Sequence, residues 1–288
     1  MGLENFIPTI WSAKLLVRLR KSLVFAGLVN TDYIGEIRNM GDSVKINEVG
    51  TVSISDYTKY NAITWQKLDG AQKTLIIDKA KTFSFTIDDI DTAQQSPKVM
   101  NAAMDEASYQ LADVIDRYLA GFYTDAGITN TTNMGSSASP VTVTAGNVIK
   151  VLSYAGRYMS EYNVPEANRT MVIPPWLHQK LLLAEVGGIS ATAVPKVFDD
   201  GALTRGYVGE ALGFRLVLSN NVQSSATGVS AIMALNRSAL SYAGQISKIK
   251  AVERESYFDQ GVKGLYVYGA KVIRPEALAC LHLSEGAE

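Results

Sequence analysis

Residues 97–124 have an apolar side chain at every third or fourth position, which is the spacing of one face of an α-helix. Ser96 and Pro97 precede the repeat as a capping residue and a first-turn proline, and Gly127 lies just beyond it. A helix over this range would be about 42 Å long, which is long for a chain of 288 residues. The fold must therefore accommodate one helix that spans much of the molecule. The repeating positions are Met100, Ala103, Met104, Ala107, Leu111, Val114, Ile115, Tyr118 and Phe122.

Two stretches before this helix alternate apolar and polar residues and predict long β-strands, at residues 43–54 and 73–87. The segment between them, residues 57–70, is polar and aromatic and has no helical period. Together they predict an extended β-hairpin arm. A hairpin alone buries too little surface to be stable in water, so the arm must lie on another surface.

The segment at the tip of this arm contains Tyr57, Tyr60 and Trp65, which are residue types that anchor protein interfaces. Lys67 lies beside them. We expect these residues to contact a neighbouring subunit. The alternative is a hairpin that folds back on its own domain.

The rest of the chain predicts helices and strands in blocks, which indicates an α+β fold. Residues 127–146 are small and polar and indicate a surface loop at a domain junction. Helices are expected at 145–162, where Pro165 bars continuation, and just after Pro174. Strands are expected at 170–173, 214–218, 230–235, 246–255, 264–273 and 277–283.

Composition limits the classes of function. The chain is 47% hydrophobic and 19% charged, as expected of a globular protein, and its net charge of −1 does not indicate a sequence-specific nucleic-acid binder. A net charge near zero also favours self-association. Residues 13–25 are apolar and basic and include Arg18 and Lys21. We interpret them as a helix that packs on a neighbour; the alternative is an amphipathic helix at a membrane surface.

Few residues could support catalysis. Cys280 and His282 lie two residues apart in a predicted strand and so share a face, but no third group that would orient them is evident. A soluble enzyme that uses this pair would lose activity on Cys280→Ser. Asp88, Asp89 and Asp91 do not have calcium-loop spacing, and are read as a solvated turn or a weak divalent-cation site. No cofactor is predicted.

Gly206, Gly209 and Gly213 raise the question of a phosphate-binding loop. Such a loop follows a strand and opens a helix, whereas these glycines precede the predicted strand at 214–218. We therefore expect a structural turn, in which residues 208–212 form a short helical segment that Gly213 ends in the left-handed conformation.

Three segments resemble major capsid proteins of tailed double-stranded DNA bacteriophages, which have the Hong Kong 97-type fold. They are the glycine-rich run 206–221, the segment MVIPPWLHQKL at 171–181, and GLYVYGAKVIRPEALA at 264–279. The predicted order of elements agrees with that family over nearly the whole chain. The resemblance implies a structural protein that is not an enzyme.

The resemblance also implies a domain organisation. Residues 1–42 would be an N-terminal arm, 43–88 the extension loop, and 89–140 a peripheral domain with the spine helix 97–124. Residues 141–236 would form the axial domain, with its loop near 187–205 at the capsomer axis. Residues 237–263 would return to the peripheral sheet, and 264–288 would supply the last axial strands.

The implied partners are other copies of the chain, in pentamers and hexamers of an icosahedral shell assembled in the host cytoplasm. A separate scaffolding protein, a portal protein, packaged double-stranded DNA and a decoration protein are the other implied partners, with no membrane. Some relatives cross-link a loop lysine to a neighbour; Lys59, Lys67 and Lys73 lie in this loop, but no motif supports that reaction. The closest alternative function is an encapsulin-type nanocompartment shell with an enzyme cargo.

Overall fold

The computed structural model describes residues 24–33, 41–49, 52–54, 56, 57, 59, 60, 62, 65–67, 70–88, 98–184, 207–253 and 259–286. Within these ranges the chain forms three α-helices and twelve β-strands, in sheets of two, three and seven strands. The predicted α+β class is confirmed. The helices are α1 (Lys98–Ala120), α2 (Val148–Glu161) and α3 (Pro175–Leu182). The strands are β1 (Ser43–Val49), β2 (Gly70–Ile76), β3 (Lys79–Asp88), β4 (Val141–Val143), β5 (Arg169–Ile173), β6 (Tyr207–Ala211), β7 (Phe214–Leu218), β8 (Ser224–Ala226), β9 (Val229–Asn236), β10 (Leu240–Glu253), β11 (Asp259–Val272) and β12 (Leu278–Glu285).

The seven-stranded sheet forms the centre of the main core. Its strand order is β4-β12-β9-β5-β7-β6, and β8 pairs with β9 outside this path. Every residue of β5 is buried, as expected of an interior strand. The apolar residues of α2 pack into the same core at helical spacing, and the helix lies within the predicted range 145–162. They are Val148, Val151, Leu152, Ala155 and Met159.

A buried arginine fastens the end of α2 to β5. The Arg169 guanidinium donates hydrogen bonds to the carbonyl oxygens of Gly156 and Val164 and to the Ser160 hydroxyl, and its Nε donates to the Pro165 carbonyl. The carbonyls of Val164 and Pro165 lie just beyond the end of α2, so Arg169 holds the segment that follows the helix while its charge is shielded from water.

The three-stranded sheet, in the order β10-β11-β3, packs against α1. Met104 of the helix packs with Val262 and with Phe83 and Phe85 of β3. The second half of α1 joins the main core, so the long helix links both sheets, as its predicted length implied. Its buried face differs slightly from the sequence pattern, because Val114 is exposed while Ala112 and Leu119 are buried.

The predicted strand 73–87 is wrong as a single element. It divides at Ile77 and Asp78 into β2, which pairs with β1, and β3, which pairs with β11. The hairpin arm is therefore 43–76 rather than 43–88. Alternation continues through both strands, so the hydrophobic pattern alone could not reveal that the partner changes.

Two other predicted boundaries need correction. A division at 263/264 would fall inside β11, which is continuous and pairs with β10 from Gln260 to Val272. Of the predicted C-terminal axial strands, only β12 belongs to the seven-stranded sheet. The predicted helix 97–124 ends as an α-helix at Ala120 and continues as a 3-10 turn over Gly121–Asp125.

The glycine-rich segment forms a β-hairpin, so the predicted helical turn at 208–212 is wrong. β6 and β7 pair antiparallel around Leu212 (φ 56°) and Gly213 (φ 75°). Two successive left-handed residues are typical of the tight turns whose twist matches a hairpin. Gly213 has the predicted left-handed conformation, and Gly209 lies next to a register shift in β6. Gly206 lies outside the described residues.

Candidate assembly surfaces

The arm is built on a regular antiparallel ladder that runs from Ser43 opposite Ile76 to Val49 opposite Gly70. Its root is anchored on the three-stranded sheet, where Val44, Leu75 and Ile77 form a small core with Ala243 and Val267. The sequence predicted that the arm must lie on another surface. At the root, the three-stranded sheet of the same subunit provides that surface.

Backbone and side-chain bonds fix the direction in which the arm leaves the sheet. Gly41 N–H donates to the Ile77 carbonyl (2.9 Å), and Ile77 N–H donates to the Asp42 carbonyl (3.0 Å). Gly41 has φ +93°, a conformation that favours glycine. The Lys73 ammonium donates to the carbonyl of Ile273. This lysine, one of the three cross-link candidates, is thus engaged at the root within its own subunit.

The tip of the arm presents large apolar side chains to solvent. Trp65 and Tyr60 are each 91% exposed, Tyr57 is 74% exposed and Ile54 is 97% exposed. Burial of an aromatic side chain covers about 150–250 Å² and contributes roughly 4–6 kcal/mol before the costs of association. A cluster of this kind is typical of a surface that another protein covers. Ile54 belongs to it but was not singled out from the sequence.

Local contacts give the tip some internal order. The backbone N–H and hydroxyl of Ser53 both donate to Gln66 Oε1, at 2.8 and 2.7 Å, and join the two sides of the arm. The Lys59 ammonium lies 5.2 Å from the centre of the Tyr60 ring, a cation–π distance. Lys67 is exposed beside Trp65. The tip aromatics therefore remain outside a core while the arm is held in shape.

A buried carboxylate fastens the N-terminal segment to the long helix. Asp116 Oδ2 accepts from Val24 N–H at 2.9 Å, and Oδ1 accepts from Phe25 N–H at 3.1 Å. Burial raises the pKa of Asp116 to about 6, although these backbone hydrogen bonds lower it. Sequence reasoning missed this residue; the signal was an acidic residue next to apolar Ile115 within the helix repeat. Arg18 and Lys21 lie outside the described residues.

Cys280 and His282 share a face of β12, as predicted, with the sulfur 3.7 Å from Nε2. His282 Nδ1 lies 2.8 Å from the Ser225 hydroxyl, a third group that the sequence did not reveal. Burial raises the pKa of the Cys280 thiol to about 12 and lowers the pKa of His282. The thiol therefore stays protonated at neutral pH, which does not favour a nucleophilic role.

No group of three or more potential metal ligands occurs among the residues that the structure describes. Of the predicted acidic cluster, Asp88 ends β3, whereas Asp89 and Asp91 lie outside the described ranges. The predicted loop 187–205 also lies outside them. In the described part of the chain, no helix combines the length and hydrophobicity needed to cross a bilayer.

Comparison with known proteins identifies the fold. A structure from Mycobacterium phage Che8 is 27% identical, with a TM-score of 0.68 over 90% of each chain. A structure described as the capsid of the Cyanophage P-SCSP1u is 20% identical, with a TM-score of 0.64 over 93% of this chain and 89% of the other. A virus-like particle from Pyrococcus furiosus is 13% identical, with a TM-score of 0.53 over 96% and 99%, and shows likeness of fold alone. No curated relative matches the chain.

The architecture and its exposed arm define a structural protein of a capsid, with the Hong Kong 97-type fold. The model of the phage capsid protein family matches residues 70–281, and the chain belongs to this family. It is a major capsid protein of a phage virion, as the sequence resemblance predicted. The encapsulin alternative has less support, because the matching family is that of phage capsids.

Proposed function

We propose that copies of this chain assemble into pentamers and hexamers of an icosahedral shell that encloses double-stranded DNA. The observation that carries this proposal is the arm at 43–76, whose tip exposes Tyr57, Tyr60 and Trp65 while its root is firmly packed. A subunit that acted alone would gain nothing from such a surface. In a closed assembly every copy both offers an arm and receives one.

We assign the seven-stranded sheet with α2 and α3 to the axial domain, and the three-stranded sheet with α1 to the peripheral domain. The assignment places the arm at 43–76 as the extension loop over a neighbouring subunit. Arg18 and Lys21 of the N-terminal arm, and Lys67 of the tip, are proposed as further intersubunit contacts. The Gly206–Gly213 segment has a structural role in shaping one edge of the axial sheet.

The proposed partners beyond the chain itself are a separate scaffolding protein, a portal protein, a decoration protein and packaged DNA. Assembly is proposed to take place in the host cytoplasm. No cofactor or catalytic residue is assigned. For the Cys280–His282 pair, the protonated thiol supports a structural role, and Cys280→Ser is expected to assemble normally.

Electron microscopy of the protein expressed with its scaffold tests the proposal. We expect closed shells from the protein expressed with its scaffold. In the phage-infected cell we expect these shells to contain DNA. A protein cargo in place of DNA would favour a nanocompartment, and a persistent monomer would contradict assembly altogether.

Deletion of residues 57–69 tests the role of the arm. We expect a folded subunit that cannot form closed shells, because the root contacts remain while the tip is lost. A milder variant replaces Tyr57, Tyr60 and Trp65 with Ser. Its matched control replaces Tyr109 and Tyr162, which are exposed outside the arm. Normal shells from the arm variants would show that the assignment is wrong.

A further inference from the structure

One face of the three-stranded sheet carries three exposed lysines side by side. Lys250 of β10 lies opposite Lys263 of β11, which lies opposite Ser84 of β3. In the next row, Lys248 lies opposite Leu265. Because side chains alternate between the two faces of a strand, these residues share one face, which we call the lysine face.

The lysine face is an open groove next to the root of the arm. At one end of the sheet Val267 is covered by the arm root, through Leu75 and Ile77. Beyond that cover, the groove has a volume of about 470 Å³. Its lining combines the three lysines with Thr82, Ser84 and Leu265, which share this face.

The charge of this groove is unbalanced. No acidic residue lines it among the residues that the structure describes, and none of the ion pairs found in the described ranges involves Lys248, Lys250 or Lys263. Like charges placed directly opposite each other on neighbouring strands destabilise a sheet. An anionic ligand would remove this cost. The whole-chain net charge of −1 conceals the local concentration of positive charge.

We propose that the lysine face binds the phosphate backbone of the enclosed double-stranded DNA and is therefore turned towards the interior of the shell. Ammonium groups and hydroxyls are the usual donors to phosphate oxygens, and such contacts carry no sequence information. Among the residues that the structure describes, no arginine lines the groove, and the planar fork of arginine is the main reader of guanine. The proposal rests on the proposed function, and it assigns a direction to one sheet face that family membership alone does not.

Binding of a short random-sequence duplex to the purified full-length subunit, measured over a range of salt concentrations, tests the contact. The variant replaces Lys248, Lys250 and Lys263 with Gln. The matched control replaces Lys45, Lys81 and Lys150 with Gln. These lysines are exposed elsewhere on the subunit, and their replacement removes the same charge. Lys81 lies on β3 but in register with Tyr266, on the opposite face.

We expect the lysine-face variant to bind at least ~tenfold more weakly at low salt, and to lower the slope of log affinity against log salt by about 2 to 3. The control should retain most of the wild-type slope. Equal losses in the two variants would overturn the proposal, since net charge alone would then explain binding. A polyglutamate peptide that binds this face more tightly than the duplex would also overturn it, in favour of an acidic protein partner.

Labelling of assembled shells tests the direction of the face. A Lys263→Cys variant is prepared with Cys280→Ser and treated with a thiol reagent too large to enter an intact shell. We expect reaction only after the shell is opened. Reaction in intact shells would overturn the inward direction while leaving the capsid function in place. Failure to form any shell, in the wild type as well, would instead contradict the proposed function.

Discussion

The arm and the seven-stranded sheet use apolar residues in opposite ways. In the sheet, Leu281 and Ile232 face each other across β12 and β9 and are fully buried within the subunit. In the arm, Ile54 and Trp65 are almost fully exposed. Leu281 and Ile232 belong to strands that are buried along most of their length, whereas Ile54 and Trp65 lie in the segment between β1 and β2. The difference between the two regions is one of burial. It shows which apolar surface stabilises the subunit and which remains for contact with another molecule.

This contrast separates folding from assembly. A change in the sheet should lower the free energy of unfolding of the isolated subunit, because burial there is complete before any neighbour binds. A change at the arm tip should leave that free energy unaltered and weaken shell formation. Variants paired across the two regions can break or sharpen this separation.

The largest effect is expected from Leu281→Ala. Loss of a fully buried leucine should cost about 2–5 kcal/mol of subunit stability through lost burial and a residual cavity. The matched arm variant Ile54→Ala should change it by less than about 0.5 kcal/mol. Denaturant unfolding of the isolated subunit measures both. Similar costs in the two variants would remove the distinction between the regions.

A second pair compares two arginines near α2. Arg169→Ala should lower the free energy of unfolding by about 3 kcal/mol, because buried carbonyl groups lose a charged donor. Arg157 is exposed and pairs with Glu161 at 2.8 Å. Its replacement by Ala should leave the free energy of unfolding nearly unchanged, because a solvent-exposed ion pair contributes little. Thermal or denaturant unfolding that ranks them in reverse order would contradict the assigned role of Arg169.

The tie between the N-terminal segment and α1 should be sensitive to pH. The folded pKa of Asp116, about 6, lies above its ordinary value of 3.8, so the folded state holds the extra proton between these values. The extra proton stabilises the folded subunit. Its contribution to the free energy of unfolding is fully present below about pH 4 and is lost as the pH rises through 6. Its size is up to about 3 kcal/mol, since one pKa unit corresponds to about 1.4 kcal/mol.

Asp116→Asn checks this sign. The amide oxygen can still accept a backbone hydrogen bond, but the residue no longer titrates. Unfolding measured at several pH values should show the wild type losing stability relative to the variant from pH 4 to pH 6.5. A constant difference between them over that range would mean that Asp116 does not contribute the pH dependence.

The smallest effect on the subunit, and the clearest effect on assembly, is expected from Trp65→Ala. Subunit stability should stay within about 0.5 kcal/mol of the wild type. Loss of a central interface aromatic of this kind typically costs 2 kcal/mol or more per contact, which would raise the concentration needed for assembly by about thirtyfold. Light scattering of assembly reactions provides the measurement, with Tyr162→Ala as the control. Unchanged assembly by Trp65→Ala would place the tip outside the interface.

Sequence patterns predicted the helices and strands of this fold better than they predicted which strands pair with each other. The helices α1 and α2 were predicted correctly because helical periodicity is a local property. The division of 73–87 at Ile77 was missed because both resulting strands alternate in the same way. The hairpin at Leu212 and Gly213 was taken for a helical turn because one glycine in the left-handed conformation suits either ending.

Of the two candidate surfaces, the sequence indicated the aromatic tip of the arm but not the lysine face. Tyr57, Tyr60 and Trp65 were found because aromatic residues stand out in a polar segment. The lysine face was missed because Lys250 and Lys263 meet only through the pairing of β10 with β11. The alternation of lysine with Ile249 in β10 was the available signal. Alternation shows which residues share one face of a strand, but it does not show which strand pairs beside it.

The junction between the arm and its sheet has a geometric consequence for a container made from one kind of chain. Only Ile77 and Asp78 separate β2 from β3, and on the other side Gly41 and Asp42 lead into β1. A rotation about these residues would keep every ladder hydrogen bond within the two sheets, but it would break the backbone bonds that join Gly41 and Asp42 to Ile77. Copies placed around five-fold and six-fold rings meet their neighbours at unequal angles. In the proposed shell, those few bonds therefore oppose any difference in arm direction between five-fold and six-fold rings.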